Sequence, residues 1–169
     1  MISLHDKASF IQRWRFIFVV SRPCGSSYHP RERKLIALHG IKEIAKIYGL
    51  KILVKTHPKE RDDGTFEEVF GIDNLGEKWA YSNAHPFILG RSCEFAVTLY
   101  SGVAVDLVKM AVPGFLRLDM RGLSGWDVPE SLRDDQGHPV HVYRYLGLAL
   151  GASDFNEFKN HVDAVMGDR

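Results

Sequence analysis

The stretch Phe95-Ala96-Val97-Thr98-Leu99-Tyr100-Ser101-Gly102-Val103-Ala104-Val105-Asp106, continuing through Met110-Ala111-Val112-Pro113-Gly114 to Phe115-Leu116-Arg117-Leu118-Asp119, decides the fold. Phe95 to Tyr100 is a short apolar run with β-branched and aromatic residues, the pattern of a buried strand. Ser101-Gly102 breaks it, and the apolar residues from Val103 to Ala111 predict a helix. Pro113 stops that helix near Val112, because the residue before a proline is pushed out of the α region. Gly114 and Phe115 to Leu118 then restart an extended strand. A strand feeding directly into a helix presents backbone N–H groups at the turn, which suit an anion. Ser101 adds a hydroxyl there, and Gly102 lets a ligand approach the backbone.

The same strand–helix alternation extends in both directions. Phe16 to Val20 reads as a first strand, followed by the small-residue loop Ser21-Arg22-Pro23-Cys24-Gly25-Ser26-Ser27. Such a loop at the carboxyl end of a strand can wrap a phosphate, and it can equally be a plain connector. After His29-Pro30, the spacing of Leu35, Leu38, Ile41, Ala45 and Tyr48 predicts a helix, with Lys34, Lys42 and Lys46 off its apolar face. Gly49 closes it and Leu50 to Lys55 forms the second strand, completing a right-handed βαβ unit. Lys55 and His57, the latter held extended by Pro58, then lie where open α/β sheets bind ligands.

The rest of the chain is read more coarsely. Ala8, Phe10, Ile11 and Trp14 fit one face of an N-terminal helix. Arg61 to Lys78 is a polar bridge, in which Thr65 and Glu68 have capping-box spacing. Trp79 to Ser82 reads as a third strand, with Asn83 as cap and Pro86 as starter of a short helix, leaving His85 structural. Met120 to Val140 is a long irregular loop. In His138-Pro139-Val140-His141 the proline prevents a shared helical face, so no metal pair is read there. Val142 to Leu150 reads as helical. A last helix starts near Asp154, paired with Glu157, and buries Phe155, Phe158, Val162 and Val165. The whole predicts one α/β domain: a Rossmann-like three-layer α/β/α arrangement with a mainly parallel sheet.

Composition narrows the classes. The 169 residues are 45% hydrophobic and 25% charged, as in globular domains. With 22 basic and 21 acidic side chains the net charge is +1, which carries no nucleic-acid footprint. Any anion must be held locally. Cys24 and Cys93 form no redox or metal motif, which points to a reduced, cytoplasmic setting, with the inner membrane face as a peripheral option. No membrane span and no signal-peptide core are read.

Two motifs together resemble the donor-binding, C-terminal half of GT-B glycosyltransferases, above all the capsule polysaccharide transferases and the CDP-glycerol glycerophosphotransferases. They are Lys55-Thr56-His57-Pro58 and Tyr100-Ser101-Gly102-Val103-Ala104-Val105-Asp106, the latter running on to Pro113. The resemblance covers roughly Phe16 to Asp119. It implies phosphate contacts from His57 and Ser101 and a ribose contact from Asp106, with Arg22, Gly25, Ser26, Lys55 and Gly102 completing the nucleotide site. It implies His57 as the group easing departure of the nucleotide phosphate, a CMP- or CDP-linked sugar or polyol as donor, and no further cofactor or metal. Where those families have a serine pair, this chain has Ser101-Gly102. A two-domain enzyme of that type also needs an acceptor domain, from a separate domain or subunit. Two alternatives stand beside this one. A nucleotide-sugar epimerase-like half-domain would want more acidic residues at the helix start. A non-enzymatic nucleotide-binding module fits the short length.

Overall fold

A computed structural model describes residues 15–21, 24, 31–56, 63–99, 101–117, 132–133, 135–137, 140 and 142–167. The strands are β1 (Phe16–Ser21), β2 (Lys51–Thr56), β3 (Trp79–Tyr81), β4 (Phe95–Leu99), β5 (Gly114–Arg117) and β6 (Leu150–Ala152). The helices are α1 (Arg31–Tyr48), α2 (Thr65–Phe70), α3 (Pro86–Ser92), α4 (Val103–Val108), α5 (Val142–Tyr145) and α6 (Phe155–Gly167), with a 3₁₀ turn at Ile72–Asn74. The proposed N-terminal helix lies outside the described residues.

All six strands are parallel, in the order β3-β2-β1-β4-β5-β6. Every residue of β1 and of β4 is buried, as required of strands covered on both faces. Side chains alternate across the sheet. On β1, Ile17 and Val19 join a core with α1, α2 and α6 residues such as Leu38, Ile41, Phe66 and Phe158. Phe16, Phe18 and Val20 join Leu89 of α3 and Leu107 of α4 on the other face. This is the expected three-layer sandwich. Its origin is the right-handed crossover, which puts helices on opposite faces when the chain leaves β1 in opposite directions.

Several local readings change. Val142 to Leu150 is not one helix: α5 ends at Tyr145, Gly147 turns at φ 67°, and Leu150 starts a sixth strand. Three residues are too few to show strand periodicity. The helix expected to reach Ala111 ends at Val108, and a turn with Ala111 at φ 52° precedes Pro113. His85, not Asn83, caps α3, its Nδ1 accepting the Phe87 N–H at 3.3 Å. At α6 the Asp154–Glu157 pair does cap: Asp154 accepts the Glu157 N–H at 2.9 Å, and Glu157 accepts the Ser153 N–H at 2.8 Å.

The largest departure concerns Lys34. It leaves the solvated face and is 1% exposed, with its ammonium 2.8 Å from Asp63 Oδ2 and 4.5 Å from the Phe66 ring centroid. Asp63 also accepts from the Thr65 hydroxyl at 2.5 Å, the Thr65 N–H at 3.2 Å and the Cys24 N–H at 2.6 Å. No capping box forms between Thr65 and Glu68. Thr65 is buried against Asp63, and Glu68 pairs with Arg31. Burial by itself would raise the Asp63 pKa. The bonds from Lys34, Thr65 and Cys24, with the Lys34 charge, outweigh it and hold the carboxyl well below its usual range.

Two stability predictions follow from these contacts. Asp63→Asn strands a fully buried ammonium and should cost about 3–5 kcal/mol at neutral pH. Lys34→Met should cost less, because Asp63 keeps three other donors and partial solvent access. The Asp63 pKa is depressed on folding, so its stabilisation is full above the unfolded value of about 4 and is lost as pH falls below that. Urea titrations should therefore show the gap between wild type and Asp63→Asn closing in acid; an unchanged gap contradicts the pairing. Separately, the Thr98 hydroxyl is buried with no hydrogen-bond partner among the described residues. Thr98→Val should raise stability by about 1 kcal/mol, since it removes a desolvated polar group at nearly constant shape.

Candidate functional site

Parallel strands place all their carboxyl ends at one edge. The order reverses between β1 and β4, so the chain leaves these neighbours toward opposite faces, and in open sheets of this class a ligand crevice forms beyond such a pair of strand ends. Ser101 and Gly102 lie immediately past β4, at this switch point. The structure thus brings the turn singled out in the sequence to the place where this class of sheet receives a ligand.

The turn itself is tighter than the sequence implied. Ser101 Oγ accepts the Val103 N–H at 3.4 Å, so that donor is already engaged, while the hydroxyl proton stays available to an acceptor. Gly102 is the N-cap of α4 at φ −68°, ψ −8°, a conformation open to any residue. Its value is therefore space rather than flexibility: it is exposed, and a Cβ there would stand 3.5 Å from the Tyr143 hydroxyl. Asp106 is half-buried one turn into α4. That helix has only six residues, so backbone donors rather than a long helix dipole must serve an anion here.

Lys55 is half-buried near the end of β2 and pairs in register with Val20, which in turn pairs with Thr98. It shares strand parity with Leu53, whose side chain belongs to the α3–α4 face. Lys55 and Ser101 therefore share the carboxyl edge of the sheet. β1 lies between their strands, which puts the two strand axes about 10 Å apart. Arg22, Gly25, Ser26 and His57 lie outside the described residues, as do His138 and His141. The Lys34–Asp63–Cys24 contacts join the β1–α1 connection to the β2–α2 connection at this same edge.

Two groups at the edge went unread in the sequence, and a third, Cys24, was read only as making no motif. The Tyr143 hydroxyl lies close to Gly102, brought there by α5 from far along the chain, so no local spacing signals it. Glu67, read only as part of a short helix, accepts from the Tyr81 hydroxyl at 2.7 Å, and its other carboxylate oxygen is buried without a partner among the described residues. At Cys24 the thiolate form is disfavoured. Burial, with the thiol's hydrogen bond to Asp63 and that carboxylate's charge, pushes its pKa up to about 11. Among the described residues no group of three or more His, Cys, Asp or Glu side chains is placed to hold a metal ion. No helix among them is long and apolar enough to cross a membrane.

The sequence matches no protein-family model and no curated protein. Its fold does match solved structures. Methanocaldococcus jannaschii UDP-GlcNAc 2-epimerase, solved with UDP-GlcNAc and UDP, superposes with a TM-score of 0.61 at 18% identity, over 99% of this chain and 43% of that one. The UDP-GlcNAc 2-epimerase of Neisseria meningitidis, bound to UDP-GlcNAc, superposes with a TM-score of 0.55 at 13% identity, over 96% of this chain and 42% of that one. The chain spans less than half the length of each. These neighbours are epimerases, where the sequence motifs resembled capsule transferases. At such identities the likeness is one of architecture: this chain has the Rossmann-like α/β fold that forms one half of those nucleotide-sugar epimerases.

Proposed function

We propose that this chain binds the nucleotide portion of a nucleotide-activated sugar in the crevice between the carboxyl ends of β1 and β4. The observation that carries the reading is the coincidence of the strand-order reversal with the Ser101-Gly102 turn. The Ser101 hydroxyl and the Gly102 N–H would donate to a phosphate approaching over the glycine. Lys55, Arg22 and His57 would supply charge and a titratable donor, with Gly25 and Ser26 closing the opposite loop and Asp106 accepting from a ribose hydroxyl. His57 would then meet charge developing on the phosphate, where a preorganised donor counts most.

Between the two enzyme types, the epimerase-like half-domain is better supported than the transferase. The structural neighbours that cover nearly the whole chain are UDP-GlcNAc 2-epimerases. Their bound uridine nucleotides put UDP at the head of the candidate ligands, ahead of CMP and CDP. In either type the groups acting on the sugar, or on an acceptor, come from a second domain. A non-enzymatic binding module shares the same crevice and differs only in lacking that partner.

Binding is the first test. In a thermal-shift screen of UDP, CMP, CDP, GDP and ADP, a ligand at about 100 times its dissociation constant adds about 2.7 kcal/mol of stability. His57→Ala should weaken nucleotide binding by roughly 1.5–3 kcal/mol, the range for a hydrogen bond to a charged group, and Ser101→Ala by about 1 kcal/mol. Gly102→Val should weaken it more than Ser101→Ala, by obstructing the approach, while leaving the melting temperature nearly unchanged. Equal affinities in wild type and Gly102→Val would remove the phosphate seat from this turn. Turnover is the second test: incubated alone with UDP-GlcNAc, the 169-residue chain should bind without epimerising it. Efficient epimerisation by the isolated chain would show that no second domain is needed.

A further inference from the structure

The opposite edge of the sheet carries a second concavity. A cleft of about 420 Å³ opens where α1 ends and β2 and β3 begin, far along the strands from the crevice. Its volume is in the range of small-molecule sites. The floor is apolar: Ala45, Leu50, Ile52, Phe70 and Trp79 are each less than a tenth exposed. Trp79 is locked by its indole N–H donating to the Gly71 carbonyl at 2.8 Å and by an edge contact with Phe70, so the floor is rigid.

The rim is cationic. Lys42, Lys46, Lys51 and Lys78 line the cleft against a single carboxylate, Glu77. Lys42 is committed to the Val69 carbonyl at 2.6 Å. The ammonium groups of Lys46 and Lys78 are exposed and make no hydrogen bond or ion pair to another described residue. Complementing the negative end of α1 accounts for Lys46, which sits in that helix's last turn. It does not account for Lys51 and Lys78, which belong to the approaches to β2 and β3. In a chain whose net charge is only +1, this concentration of ammonium groups around an apolar floor is a local arrangement.

We propose that this cleft is a second ligand site, which takes a small anion with an apolar or aromatic body. The anionic group would be met by Lys46 and Lys78, and the body would cover the Ile52–Phe70–Trp79 floor. Such a ligand would bridge the end of α1 and the starts of two strands, without reaching the crevice at the other edge.

The test uses 1-anilinonaphthalene-8-sulfonate, which combines one sulfonate with an aromatic body. Its fluorescence titration on the full chain should show saturable binding to one site, with affinity falling as NaCl rises, since exposed charges are screened. Lys46→Glu/Lys78→Glu should weaken this binding by about tenfold or more by reversing two rim charges. Both residues are exposed, so folding is preserved, as circular dichroism will show. Gly102→Val, at the opposite edge, should leave dye affinity unchanged. UDP titrations, run separately by calorimetry, should be unaffected by the lysine reversals. Dye binding with these properties supports the cleft even if UDP does not bind at all. Equal dye affinity in the double variant, or a loss in Gly102→Val, overturns it.

Discussion

The constraint on which this molecule depends is the position of β1, a six-residue parallel strand with parallel neighbours on both sides and helices on both faces. Such a strand has no solvent side, so Phe16, Ile17, Phe18, Val19 and Val20 are all apolar and all buried. Burying each large side chain contributes roughly 1.5–3 kcal/mol, which makes β1 the seam of both hydrophobic clusters. Because crossovers are right-handed, the chain must put α1 and α2 on one face and α3 and α4 on the other. The crevice at the carboxyl ends of β1 and β4 follows from that geometry. Core and candidate site are consequences of one topological fact.

Near that edge, the buried Lys34–Asp63 pair ties together residues that follow β1 and residues that follow β2. It draws the connection after β1 and the connection after β2 to a common point through the Cys24 N–H and the Thr65 hydroxyl. An ion pair in this position is a poor source of net stability, since desolvating both charges offsets most of their attraction. Its directionality is of more use. A carboxylate with four donors fixes the relative placement of two loops more tightly than an apolar contact of equal size. Burial and the same carboxylate together push the Cys24 thiol up, away from its thiolate form.

The two edges of the sheet differ in a way that suits two kinds of ligand. At the carboxyl edge the small residues Ser101 and Gly102 follow β4, with the Tyr143 hydroxyl close to Gly102, the setting proposed for a phosphate. At the amino edge ammonium groups on long side chains stand around an aromatic floor. The first arrangement reads shape and hydrogen-bond direction. The second reads charge and apolar area, with less demand on geometry.

The sequence by itself determined the layers. Alternating apolar runs and helical periodicities named five of the six strands and the longer helices, and Pro113, Pro86 and Gly49 punctuated them, because these signals are local and repeat over several residues. The turn at Ser101-Gly102 was legible for the same reason. Tertiary structure alone decided the rest. Three residues of β6 carry no periodicity, and only pairing with β5 makes them a strand. Lys34 has the composition of a surface residue, and it is buried because Asp63, 29 positions away, meets it there. Tyr143 reaches Gly102 from a distant part of the chain, and the lysines of the amino-edge cleft converge from α1, β2 and the approach to β3. Each of these depends on contacts between segments distant in the chain, and their energy exists only once the sheet has assembled.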